Sequence, residues 1–111
     1  MRTEKTPAAG PSSAGLPSDE EIARRVRSGE TMLFEVLMRR HNQRLYRTIR
    51  SLLKEEAEIE DVMQQAYVQA FTHLDQFEGG AQFSTWLTRI ALNEALQRLR
   101  QRHRWVAIDG G

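Results

Sequence analysis

The 111-residue sequence predicts an all-α fold, a compact bundle of three long helices preceded by one short N-terminal helix. Apolar residues recur at the three- and four-residue spacing of a helix face in each long segment, and no run alternates at the two-residue period of a strand. Breakers are sparse: all three prolines (Pro7, Pro11, Pro17) precede Ser18, and the glycines between Ser18 and Ile108 are Gly29, Gly79 and Gly80.

Residues 1–17 combine those prolines with Gly10, Ser12, Ser13 and Gly15. Such a stretch buries too little side chain to offset its ordering entropy, so a disordered leader is expected there. Ser18-Asp-Glu-Glu21 has the form of a capping box, in which Ser18 and Glu21 each serve the other's backbone N–H. A short helix follows with Ile22, Ala23 and Val26 inward, stopping at Gly29.

A second helix is expected from about Glu30 to Lys54, with Phe34, Leu37, Met38, Leu45, Ile49 and Leu52 on one face. Arg39, Arg40, Arg44, Arg47 and Arg50 lie largely off that face. They make a solvated basic surface, with weak phosphate contact as the alternative. A third helix, from about Glu56 to Phe77, has the core face Ile59, Val62, Met63, Ala66, Tyr67, Ala70, Phe71, Leu74 and Phe77. Its acidic first turn suits the positive end of the helix dipole. Asp61, Gln65, Val68 and Thr72 form an outward stripe with Gln64 at its edge, and Val68 is an apolar residue among polar neighbours.

Glu78-Gly-Gly-Ala-Gln82 must be a loop, whether for chain reversal alone or for close approach of another molecule. The fourth helix opens with Ser84 as its expected N-cap and runs to Arg104, about 30 Å. Leu87, Ile90, Ala91, Leu92, Ala95, Leu96 and Leu99 fill much of its circumference and predict packing on several sides. One polar stripe remains: Arg89, Asn93, Gln97, Arg100 and Arg104, led by Trp86. Amides, guanidinia and indoles read base edges, grip phosphates and stack on bases, so this helix is expected to face nucleic acid. From Trp105 onward the chain is expected to leave the helix, with residues 106–111 beginning a linker.

Net charge is only +1, so nucleic-acid contact has to come from uneven placement. Five arginines and one acid lie between Trp86 and Trp105, against five acids and no base between Glu55 and Asp61. The absence of cysteine excludes disulfides and thiolate chemistry. No apolar run approaches a membrane span, and no membrane partner is expected. His41, His73 and His103 lack zinc-like spacing, and phosphate-binding glycine loops are missing. His41, on the apolar face of the second helix, reads as a hydrogen-bonded core residue. No metal, cofactor or catalytic residue is expected.

Two motifs carry a family likeness. Glu60-Asp-Val-Met-Gln-Gln-Ala-Tyr-Val-Gln-Ala-Phe71 and Phe83-Ser-Thr-Trp-Leu-Thr-Arg-Ile-Ala-Leu-Asn93 resemble the paired signatures of region 2 in bacterial sigma-70 family factors, most strongly the extracytoplasmic-function group. The resemblance covers about Ser18 to Arg104 and makes 18–105 the region 2 domain. It implies a cytoplasmic transcription initiation factor, nucleoid-associated when bound to polymerase. Such a factor docks on the clamp helices of the largest RNA polymerase subunit and recognises and melts the promoter −10 element. Carried over by position, Asp61, Gln64, Gln65 and Val68 would bind polymerase. Gln65 stands where the family usually has Glu, which weakens one charge-assisted contact. Gly79, Gly80, Gln82, Arg89, Asn93, Gln97, Arg98 and Arg100 would line the path of the single-stranded non-template strand, with Asn93 at a base or its backbone and Arg89, Arg98 and Arg100 on phosphates. The family's Trp at position 86 is largely core, leaving stacking and packing both open. An anti-sigma protein is a further partner, covering the surfaces that polymerase and DNA use. Family members carry a second, helix-turn-helix domain after a linker, so the chain is expected to be part of a longer factor. The alternative reading is a sigma-like decoy that binds an anti-sigma protein without touching DNA.

Overall fold

The computed structural model describes residues 16–77, 79 and 81–110, with side chains to 103. The expected leader therefore lies outside the described residues apart from Leu16 and Pro17, as do Glu78, Gly80 and the side chains of Arg104 and Trp105. Among the described residues there are four α-helices: α1 (Asp19–Arg27), α2 (Phe34–Arg50), α3 (Glu56–Thr72) and α4 (Phe83–Gly110). Among the described residues there is no strand.

Helix α1 starts where the cap predicts. Ser18 Oγ accepts from the Glu21 N–H at 3.1 Å, while the Glu21 carboxylate turns away to Arg24, so only half of the box closes. Its end is set at Gly29, whose φ of +122° is closed to most side chains. Arg25 then grips Glu30 with two hydrogen bonds, at 3.1 and 2.8 Å.

Helix α2 is shorter than expected at both ends. A 3₁₀ turn over Thr31–Leu33 precedes it, and the chain leaves the helix after Arg50. The Ser51 hydroxyl donates to the Thr48 carbonyl at 2.6 Å, a local bond that competes with helix continuation. Leaving the helix there buries Leu53, which the expected stripe omitted in favour of Leu52.

Helix α3 likewise stops at Thr72 and not at Phe77, and a 3₁₀ turn over Leu74–Gln76 follows. This tightening carries Leu74 and Phe77 into the core. Arg27 of α1 caps the segment, its Nη1 donating to the carbonyls of Leu74 and Phe77 at 3.4 and 3.3 Å.

Helix α4 begins at Phe83, two residues before the Thr85 start that a Ser84 cap implies, with the Trp86 N–H bonded to the Gln82 carbonyl at 3.0 Å. Ser84 is thus inside the first turn and not its cap. The helix also continues past Arg104 to Gly110, because nothing between Trp105 and Ile108 breaks it.

The core gathers Ile22, Leu37, Leu45, Ile49, Ile59, Val62, Phe83 and Leu87, all essentially sealed from solvent. Each contributes roughly 1.5–3 kcal/mol of burial. Helix α3 packs against both α2 and α4, and alanines at 66, 70, 91 and 95 let the backbones approach. At one end Phe77, Phe83 and Trp86 form a triangle of rings, with centroids 5.3 to 5.8 Å apart. Trp86 is half-buried there, which places it at the edge of the core. His41 is packed as expected. Its Nε2 donates to Asp19 Oδ2 at 2.8 Å and its ring lies 5.7 Å from that of Phe83.

Candidate functional site

Burying one face of α3 leaves the opposite face outward. Asp61, Gln64, Gln65 and Val68 are all exposed, Val68 at 56%. Phe71, expected in the core, is 44% exposed and rests edge-on against Phe34 at 5.3 Å. One helical turn beyond Val68, it enlarges the apolar centre of this face. Gln64 also borders an open groove of about 680 Å³ between α2 and α3, walled by Met38, Tyr46, Met63 and Tyr67. The Tyr67 hydroxyl there donates to Asn42 Oδ1 at 2.8 Å, and burial pushes its pKa up to about 12.

On α4, Arg89, Asn93, Gln97 and Arg100 are exposed along one ridge at spacings of four, four and three. Neither Arg89 nor Arg100 is in an ion pair among the described residues. Gly79, with φ of +80°, and Gln82 sit exposed before the ridge begins, Gly79 in a conformation that other side chains rarely adopt.

Arg98 stands apart from this ridge. Its Nη2 lies 2.6 Å from Asp61 Oδ2 and 3.5 Å from Glu94 Oε2, and Gln69 Nε2 donates to the other Glu94 oxygen at 2.9 Å. Arg102 binds both oxygens of Glu58, at 2.6 and 2.7 Å. Helices α3 and α4 run antiparallel, so the acidic start of α3 lies beside the basic later half of α4. The expected phosphate ligand Arg98 is therefore engaged by the expected polymerase contact Asp61, and the two faces meet along a seam. Asp61 remains 59% exposed, so this pair is worth at most about 1 kcal/mol.

The basic face of α2 divides in the same way. Arg39 pairs with Glu35 and Arg40 with Asp19, each at 3.0 Å, whereas Arg44, Arg47 and Arg50 are exposed without an ion pair among the described residues. No three potential metal ligands converge among the described residues. No described helix is long and apolar enough to cross a membrane.

Comparison with known proteins gives these faces a family. The model for Sigma-70 region 2 matches residues 37–105, spanning both motifs and most of the described chain. The chain belongs to the sigma-70 family. Within it, the relatives point to the extracytoplasmic-function group. The RNA polymerase sigma factor NccH of Alcaligenes xylosoxydans is 38% identical over 85 residues, 75% of this chain and 46% of that protein. The ECF RNA polymerase sigma-E factor of Escherichia coli is 33% identical over 78 residues, 70% of this chain and 40% of that protein. This sigma factor chain thus spans less than half the length of either relative. Its fold superposes on an engineered region 2 of sigmaE, solved by NMR in complex with GTAAAA. The TM-score is 0.73 at 30% identity, covering 81% of this chain and 94% of that one. CnrH, solved in complex with the cytosolic domain of CnrY, gives a TM-score of 0.67 at 33% identity, covering 73% and 53%.

Proposed function

We propose that this sigma region 2 domain is a two-sided adaptor for transcription initiation in the cytoplasm. The α3 face of Asp61, Gln64, Gln65 and Val68 docks on the clamp helices of core RNA polymerase. The α4 ridge of Arg89, Asn93, Gln97 and Arg100 receives the non-template strand of the −10 element. The observation that carries this reading is the exposure of two chemically distinct faces on neighbouring helices. One is carboxylate and amide around an apolar centre, the other guanidinium and amide.

Melting follows from capture. Extruding a base costs a few kcal/mol. Stacking or bidentate hydrogen bonding returns about 1–3 kcal/mol per base held. Holding two or three bases of the opened strand therefore draws the duplex toward its melted form without nucleotide hydrolysis. Asn93, whose amide offers both donor and acceptor, reads a base edge, while Arg89 and Arg100 hold phosphates. Gly79 and Gln82, exposed just before the ridge, bring backbone close to the strand. An anti-sigma protein would act by covering either face, and the complex of the relative CnrH with the cytosolic domain of CnrY supports such a partner.

The test is an anisotropy titration with labelled single strands carrying GTAAAA or its scrambled sequence, beside a pulldown by the clamp coiled coil. Sequence-dependent strand binding together with capture by the coiled coil is the expected result. Capture without any strand binding would favour the decoy.

A further inference from the structure

We propose that the groove between α2 and the first turns of α4 seats a backbone phosphate of the DNA strand, with Arg44 and Arg89 as its jaws. The proposal rests on the reading that the strand passes along α4, and it brings α2 into the contact. The groove has a volume of about 360 Å³ and is lined by Arg44 and Thr48 from α2 and by Ser84, Thr85, Thr88 and Arg89 from α4. Its described lining residues include no carboxylate, and neither arginine is in an ion pair among the described residues. On a chain where Arg24, Arg25, Arg39, Arg40, Arg98 and Arg102 all bind acids, two unneutralised guanidinia converging from separate helices form a site for an anion.

Ser84 supplies the second observation. It is only 8% exposed and lines the groove, yet its hydroxyl has no hydrogen-bond partner among the described residues. A buried hydroxyl is costly unless bonded, and a phosphate oxygen in the groove would accept from it. Thr85 and Thr88 line the same groove. The first-turn N–H groups of α4, for which the helix itself has no acceptor, add the positive end of a 28-residue helix. The Thr48 hydroxyl is already committed to the Arg44 carbonyl at 3.0 Å, so it shapes the wall and leaves binding to the others. The groove is open-sided, and Arg89 lies one helical turn before Asn93 on the ridge. An anion seated here is thus in line with the base contact, as a phosphate of a continuous strand would be.

The experiment uses the whole chain and labelled oligo-thymidylate, whose binding reports phosphate contacts without base-edge readout. Arg44→Gln should weaken binding about 3- to 10-fold and lower the slope of log affinity against log salt by about 0.7, the value of one single-strand phosphate contact. Arg44→Lys should keep the wild-type slope. Ser84→Ala should weaken binding with the slope unchanged. The Ser84 and Thr85 amide NMR signals should move on adding the strand to wild type but not to Arg44→Gln. A wild-type slope in Arg44→Gln, while Arg89→Gln lowers it, overturns the site and leaves the α4 reading standing. Inorganic phosphate shifting those amides as strongly as the strand does, at equal phosphate concentration, overturns the assignment to a strand. Failure of the wild-type chain to bind any single strand sinks the functional reading and this site with it.

Discussion

Replacing Asp61 with arginine should abolish docking while leaving the bundle folded, and the exposure of the Asp61–Arg98 pair keeps the folding cost small. Asp61 and Arg98 lie 2.6 Å apart, but the carboxylate is 59% exposed. Exposed pairs contribute about 0.2–1 kcal/mol, so losing this one costs no more than that. Setting two guanidinia against each other adds about 1 kcal/mol of repulsion at about 4 Å in a water-like dielectric. The sum stays below about 2 kcal/mol, against roughly 5–15 kcal/mol for an ordinary domain. At a docked interface the outcome is harsher. An inverted charge held against its former partner costs about 2–5 kcal/mol, roughly 30- to 4000-fold in affinity. Circular dichroism should therefore report an unchanged helical signal and a melting point lowered by several degrees, while capture by the clamp coiled coil is lost. Undiminished capture by folded Asp61→Arg would remove this residue from the docking face. Collapse of the helical signal would show that the seam between α3 and α4 carries far more stability than its exposure allows.

Asn93→Ala should weaken binding to a preferred single strand by about 1–3 kcal/mol and affect scrambled strands little; a uniform loss in anisotropy across sequences would make Asn93 a phosphate contact. Arg100→Gln should lower the salt slope by about 0.7, whereas Arg98→Gln should leave it unchanged while Asp61 and Glu94 hold Arg98; equal effects of the two substitutions would contradict the seam. The hydrogen bond from His41, aided by Arg40 and opposed by burial, holds the Asp19 carboxyl below its ordinary 3.8. A depressed folded value gives stability that is present above 3.8 and lost as pH falls through the folded pKa. Urea midpoints of wild type should therefore fall further than those of Asp19→Asn between about pH 5 and about pH 2. Phe83→Ala, which empties the sealed site between Phe77, Trp86 and His41, should cost about 3–5 kcal/mol in chemical denaturation; a loss under about 1 kcal/mol would mean that the aromatic triangle repacks freely.

Helix existence was legible because Ile22, Leu37, Ile59, Val62 and Leu87 mark faces by spacing alone, and the tight packing of the bundle buries those faces. Helix ends were less so. Ser51 and Arg27 end their segments through bonds that periodicity does not encode, one to a nearby carbonyl and one across 47 and 50 residues. The outward stripe from Asp61 to Val68 was legible as the complement of the α3 core face, and so was the ridge from Arg89 to Arg100. What escaped was pairing between distant residues. Arg98 and Asp61 are 37 apart in sequence, and only the antiparallel packing of α3 and α4 shows that they neutralise each other. Phe71 and Leu96 read as core but stay partly exposed, since a bundle of this size cannot surround every apolar side chain. The groove joining Arg44 to Ser84 and Arg89 likewise depends on how α2 meets α4, with no trace in either helix alone.

A two-sided adaptor needs both of its faces free at once. Anisotropy of a labelled single strand bound to this chain, read while the polymerase clamp coiled coil is added to saturation, tests that directly. The signal should rise as the larger complex forms, with strand affinity undiminished. A fall to the value of free strand would mean that polymerase and DNA compete for one surface.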